Sequence, residues 1–338
     1  MSKAAELAAL IGSGQAQGDR NLIINGAMQV AQRSTSSTGL GGNAEDYYVI
    51  DRIKHLSGGS SAGRYTATQE AITDLAGFPT ALKLACTTAD TSIAAGEFFG
   101  ISHFFEGQNV QRMQKGFSTA KSVTLSFYVK GNASATYTAE LKDTDNSRIN
   151  GQTFRVELTY PADTTGKLNN DNALSFALSL YLHAGSTYTG GTFTNGTWAS
   201  EVQANRVSSS NTSFYDSTDR TFFITGLQLE IGDVATPFEH ENITTTLTKC
   251  RRYYQTFQAS WYGVAEATGY FESVGITYSP PMRANPALTQ LSFSAGGSRY
   301  TSSGATSSTI DGTTIYSSPG SAGGNEGWQA KWEADIDL

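Results

Sequence analysis

From Asn21 onward, apolar residues recur at every second position in run after run. In "SVTLSFYVKG", Val123, Leu125, Phe127 and Val129 fall on one side, and Thr124, Ser126, Tyr128 and Lys130 on the other. "ALSFALSLYL" does the same with Leu174, Phe176, Leu178, Leu180 and Leu182, and "QTFRVELTY" with Phe154, Val156 and Leu158. A period of two marks strands with one buried and one more exposed face. Gly- and Asn-rich turns separate the runs, which predicts antiparallel sheets packed as a sandwich and not βαβ units. In "RTFFITGLQLEIG", Phe222 and Ile224 are even while Leu227, Leu229 and Ile231 are odd. A β-bulge near Gly226 would reset the parity.

The period changes at two places. Ala4, Leu7, Leu10 and Ile11 have helical spacing and stop at Gly12, and "GSGQAQG" follows as a flexible tether. A helix this short is marginal alone and needs something to dock on. After Pro237, Ile243, Leu247, Cys250 and Tyr254 recur at about helical spacing, with Asn242 placed to cap the helix. The spacing turns Leu247 and Cys250 toward a core. Arg251 and Arg252 read as surface or interface ion-pair residues. Beyond Phe257 strands resume. Residues 294–325 are rich in Ser, Gly and Thr, with Tyr300, Ile310, Ile315 and Tyr316 as scattered anchors. The closing "WQAKWEADIDL" alternates cleanly again, so the loop-rich stretch is expected to lie inside a second β domain. The predicted organisation is all-β: a helix and tether over 1–20, a β-sandwich over 21–241, a linking helix over 242–257 and a C-terminal β domain over 258–338.

Composition narrows the function by exclusion. A net charge of -7 argues against a general nucleic-acid binder, which needs a basic face to displace counterions. Cys86 and Cys250 lack CxxC spacing, so neither a metal cluster nor a disulfide framework is expected. Cys86, in "ALKLAC" with Leu82 and Leu84, reads as a small core residue. No apolar run reaches the roughly 18 residues that cross a bilayer, so no membrane insertion is expected. The N-terminal run resembles a signal peptide only superficially, because Glu6 interrupts it and no cleavage site follows.

Catalytic and metal motifs are likewise not found. His55, His103, His183 and His240 show no ligand spacing. "DTDNSRINGQTF" begins like a calcium loop, but Arg148 stands where the glycine belongs and Phe154 where the bidentate carboxylate belongs. A polar hairpin fits it better. Glycoside cleavage needs two carboxylates; Glu97, Glu106, Glu157, Glu230, Glu239 and Asp216 are available, but the sequence does not pair them. No nucleophile elbow, phosphate loop or dinucleotide fingerprint occurs. No catalytic residue, metal or cofactor is predicted.

Aromatic content says more. The chain holds 16 tyrosines and 17 phenylalanines, and several aromatics sit in polar, turn-rich company. Sugar-binding surfaces need aromatic faces near hydrogen-bonding side chains. Among Tyr188, Trp198, Tyr215, Trp261, Tyr262 and Tyr270, the candidates for glycan contact are Trp198, Trp261, Tyr262 and Tyr270.

"NLIINGAMQVAQRSTS", "YYVIDRI", "FFEGQNVQRM", "KSVTLSFYVKG" and "FFITGLQLEIGDVATPFEHENITTTLTKCRRYYQ" together resemble a family of bacteriophage and prophage virion proteins, the tail fibre proteins. The resemblance spans about residues 21–255, and more loosely "ITYSPPMRANP" and the closing strand. It departs at Ala27, where an acidic residue is usual, and at Ile53, where a tryptophan is usual, so no binding residue is carried over. The resemblance implies a jelly-roll first domain similar to carbohydrate-binding modules. It also implies a non-enzymatic virion component, a tail fibre or receptor-binding appendage that attaches to host surface polysaccharide. The N-terminal helix and tether would then join it to other tail or capsid proteins. A capsid-bound fibre or decoration protein is the first alternative, and an envelope polysaccharide depolymerase the second. Fibres of this kind imply a homotrimer; Trp328 and Trp332, on one face of the closing strand, would either lie at its seam or fill their own domain's core.

Overall fold

The computed structural model describes residues 19–154, 157–264, 270–321 and 323–338; the helix expected over 2–11 and most of its tether lie outside the described residues. The chain divides into two compact units, the first ending at Ile243 and the second running Thr244–Leu338. Both are built of antiparallel sheets, so the fold is all-β.

The first unit is a jelly-roll β-sandwich of two six-stranded sheets. One sheet orders β1 (Ser36–Gly41), β3 (Arg64–Ala71), β4 (Thr80–Thr88), β12 (Thr221–Ile231), β6 (Val123–Gly131) and β9 (Glu157–Tyr160). The other orders β11 (Ala199–Ser200), β8 (Arg148–Phe154), β7 (Tyr137–Asp143), β10 (Leu174–Ala184), β5 (Phe98–Glu106) and β2 (Lys54–Gly58). Alternation supplies the core: Leu82, Leu84, Leu125, Ile224 and Leu229 come from the first sheet, and Phe99, Ile101, Leu141, Leu178 and Leu180 from the second. Cys86 joins them.

The parity switch is the predicted bulge. The β12–β6 register shifts between Thr225 and Gln228, and Gly226 sits at φ 61°, which only glycine adopts without strain. The "DTDNSRIN" segment is a hairpin that pairs Asp143 with Arg148. Two expectations change. The run read as one strand over 152–160 is two strands, β8 and β9, in different sheets; residues 155–156 between them lie outside the described residues. In β10 both faces are buried, because Tyr188 and Val207 from the following loop cover Tyr181 on the outer side.

The segments that carry the family resemblance form a clasp. Glu239 accepts the backbone N–H of Asp19 at 2.9 Å and of Asn21 at 2.8 Å. The Glu230 carboxylate accepts the N–H of Thr236 at 2.8 Å and its hydroxyl at 2.7 Å, and Gln228 receives the N–H of Glu239 at 2.8 Å. Asn21 Oδ1 accepts from Leu229 and from Ile23. "NLIING" and "QLE-G--ATPFE" thus lie far apart in sequence yet bond to each other. Ile53 is a core residue at 1% exposure, and the carbonyl of Ala27 accepts from Thr80 and Thr225.

The linking helix is shorter than expected, Ile243–Arg251, and Tyr254 already belongs to the next strand. Its buried positions are Thr246 and Cys250, whereas Ile243 is exposed and Leu247 half-buried. The helical period read through Tyr254 therefore joined a helix to a strand. The second unit has two three-stranded sheets. One orders β13 (Tyr254–Val264), β18 (Asn325–Asp335) and β15 (Ala287–Ala295); the other orders β14 (Glu272–Thr277), β17 (Gly312–Ser317) and β16 (Gly304–Ala305). The Ser/Gly/Thr-rich stretch lies within this unit, anchored by buried Tyr300 and Ile315, while Ile310 is exposed. The closing strand is the middle strand of its sheet. Trp328 and Trp332, at 1% and 6% exposure, fill the unit's own core with Ala259, Tyr300, Ile315 and Ala330.

Candidate functional site

The central strand β18 alternates Trp328, Ala330 and Trp332 inward with Gln329 and Lys331 outward. Its neighbour β13 turns Ala259 and Trp261 inward and Gln258, Ser260 and Tyr262 outward. Register then sets rows across the outer face. Ser260 stands opposite Gln329, which stands opposite Ser294; one row on, Tyr262 stands opposite Gly327. Like many antiparallel sheets, this one has a packed face and a wet face.

Gly327 decides how Tyr262 lies. A Cβ there would come 2.9 Å from Tyr262 Cδ2 and 2.6 Å from the Trp261 carbonyl, so only glycine lets the ring settle over the strand. The ring is nevertheless 75% exposed. An exposed aromatic resting against a neighbouring strand offers a surface for stacking.

The platform borders an open groove of about 880 Å³. Its lining combines Trp261 and Tyr262 with Ser260, Ser294, Asn325 and Gln329, and with an ion pair, Arg299 and Glu326. Glu326 Oε2 accepts from Arg299 Nη1 at 2.8 Å, and Oε1 accepts the Arg299 backbone N–H at 3.0 Å. Burial pushes the Glu326 carboxyl up, but these bonds outweigh it and hold the group below the usual carboxylate range. Two donors in the lining residues, Arg299 Nε and Trp328 Nε1, are buried with no acceptor among the described residues.

Of the four aromatic candidates, the groove brings together Trp261 and Tyr262. Tyr270 is 61% exposed and is not part of the lining. Trp198 belongs to the first unit, where its indole donates to the Pro161 carbonyl at 2.8 Å and its ring lies beside Phe176 and under Lys115. Sequence reasoning missed Arg299 and Glu326. Arg299 is hidden in "AGGSRY", but Glu326 left a signal: it shares the even parity of Trp328, Ala330 and Trp332, and a carboxylate at an inward position needs a partner.

The first unit has a smaller groove of about 270 Å³ beside Tyr128, Val129 and Phe223. Lys130 and Lys83 lie over the Phe223 ring at 4.7 and 5.4 Å, so that platform is already occupied. The carboxylates available for glycoside cleavage are also engaged. Glu97 meets His183 Nε2 at 3.2 Å, Glu106 accepts from Gln108, Asp216 pairs with Arg220, and Glu230 and Glu239 form the clasp; the Glu157 side chain lies outside the description. His183 Nδ1 also meets Ser213 Oγ at 2.8 Å, giving the Ser–His–Glu order of a hydrolytic relay. That hydroxyl, however, accepts the Tyr215 N–H and caps a helical turn, and the imidazole is fully buried. Burial holds the His183 pKa below its ordinary value, against the opposing pull of Glu97. The arrangement ties a turn to β10 and to the residue that precedes β5.

No family model matches the chain, and no curated protein matches it. Among solved structures, an arabinose-bound α-L-arabinofuranosidase is similar at 11% identity over 63% of this chain and 27% of that one, with a TM-score of 0.32. Discoidin II of Dictyostelium discoideum is similar at 7% identity over 80% of this chain and 87% of that one, with a TM-score of 0.22. A second structure of discoidin II gives 8% identity over 80% and 86%, with a TM-score of 0.19. Likenesses this distant transfer no function.

Proposed function

We propose that this chain is a non-enzymatic phage virion appendage whose C-terminal unit binds glycans of the host surface. The observation that carries the binding reading is the Tyr262 ring, exposed over Gly327 and flanked by uncharged polar side chains from three strands. Cleavage by a pair of carboxylates has less support, because among the described residues the groove holds one carboxylate and that one is bonded to Arg299. The virion assignment, and tail in preference to head, rest on the family resemblance. So does the homotrimer: Trp328 and Trp332 lend it nothing, since both are buried within their own unit. Attachment to the particle through residues 1–18 belongs to the same proposal.

The test incubates the purified chain with host envelope polysaccharide and measures retention together with new reducing ends. Retention without new ends is expected, and Tyr262→Ala should abolish it. Release of reducing ends would replace binding with depolymerisation. Antibody label over the head would move the appendage from tail to capsid.

A further inference from the structure

We infer that the groove of the C-terminal unit selects neutral sugars over acidic ones, an inference that rests on the glycan-binding reading above. Among the described residues its lining contains two charged side chains, Arg299 and Glu326, and each is the other's partner at 2.8 Å. The guanidinium is therefore not a free cation waiting for a carboxylate. Lys331, the next basic residue along β18, is outside the lining and stands on the same face as Glu333.

The remaining polar lining is uncharged: Ser260, Ser294, Ser298, Ser321, Asn325 and Gln329. Hydroxyls and carboxamides each donate and accept, which is the capacity of a sugar hydroxyl. A carboxylate only accepts, so a uronic acid would use half of that capacity and shed its hydration without gaining a counter-charge. The orphan donors Arg299 Nε and Trp328 Nε1 do not alter this, because both atoms are buried beneath the lining.

The experiment measures binding of the full chain to paired glycoconjugates that differ only at the exocyclic carbon, alcohol in one and carboxylate in the other: galactosyl against galacturonosyl, and glucosyl against glucuronosyl. The neutral member of at least one pair should bind about tenfold more tightly. Its affinity should change less than about twofold between low and physiological ionic strength. Glu326→Gln removes the counter-charge of the guanidinium and should raise binding of the acidic member about tenfold. Ser260→Lys, at an exposed position, should do the same without touching the ion pair, which covers the case in which the first variant does not fold. Tighter binding of the acidic member by the parent chain overturns the inference, as does an unchanged ratio in both variants. Neutral binding that survives Tyr262→Ala places the site elsewhere and also overturns it, while leaving glycan binding by the chain intact. Binding of no glycoconjugate refutes the glycan reading and the inference with it.

Discussion

The two β units handle polarity in opposite ways. In the first, buried and half-buried charge is engaged in structure. Lys115 sits between Asp143 and Asp163, Arg206 is bonded to Glu140, and Glu230 and Glu239 hold the clasp. These contacts are possible because two six-stranded sheets enclose a large apolar core that can bear them. Among the described residues, the second unit's main core is six buried side chains, two of them tryptophans and two alanines, beside a smaller cluster of Tyr278, Met282 and Ala334. Glu326, at an inward position, is held by Arg299, while Ser260, Ser294 and Gln329 form an exposed row across the outer face of one sheet. The thinner unit is the one that leaves hydrogen-bonding capacity open to a ligand.

The sharpest way to break this contrast is to make equal cavities in both units. Trp328→Ala and Phe99→Ala each remove a fully buried ring and should each cost about 3–5 kcal/mol. A small core has little reserve. Trp328→Ala should therefore unfold the second unit at room temperature, while Phe99→Ala should leave the first folded with a lowered Tm. Calorimetry with limited proteolysis checks both. A second unit that stays folded without Trp328 would mean its core is less sparse than its buried side chains indicate.

Acid should separate the units next. All 4 histidines precede Thr244, so the second unit has none. Burial lowers the pKa of His55 to about 3 and holds His103 and His183 below their ordinary value. The unfolded chain then takes up protons at about pH 6.5 while the folded chain does not, so this stability is present above that pH and is lost on acidification toward the folded pKa. His55 alone should cost about 2 kcal/mol by pH 5. The first unit's transition should fall between pH 7 and 5, and His55→Gln should flatten the fall. A second-unit transition that falls in parallel would show that other groups drive the loss.

How much of this was legible in the sequence follows from the reach of each signal. Alternation is local, so the strands, the bulge at Gly226 and the inward face of the closing strand could be read directly. Burial by distant loops is not local. The outer face of β10 looked exposed because Tyr188 and Val207 lie outside the strand that they cover. Helical spacing misled at Tyr254, where two elements happened to share a period. Trp261 and Tyr262 were named as candidates, but their groove depends on Arg299 and Glu326, which meet only once β18 is threaded through the middle of its sheet.

The clasp offers a smaller, cleaner comparison. Glu239→Gln keeps the shape but removes the charge that two backbone N–H groups share. A loss of about 1.5 kcal/mol is expected, confined to the first unit's transition. Gln329→Ala, on the second unit's outer face, should change stability by no more than about 0.5 kcal/mol. Equal costs would erase the distinction between polarity used for folding and polarity left for binding.

The smallest effect on stability should come from the residue with the largest effect on binding. Tyr262 is 75% exposed, and its folding contribution is limited to covering Gly327 across the strand pair. Such cross-strand contacts contribute about 0.2–1 kcal/mol, so Tyr262→Ala should lower the second transition only slightly. Glycan retention should nevertheless disappear, because stacking on one aromatic ring is worth several times that when the ring is the centre of the contact. Tyr128→Ala is the matched control in the first unit. That ring is also exposed, at 47%, but it packs on Phe78 at 5.2 Å beside a groove whose other ring, Phe223, is covered by lysines. It should cost more in stability than Tyr262→Ala and nothing in retention. If Tyr128→Ala abolishes retention while Tyr262→Ala preserves it, the binding surface lies on the large sandwich, and the open polar face of the small unit has another use.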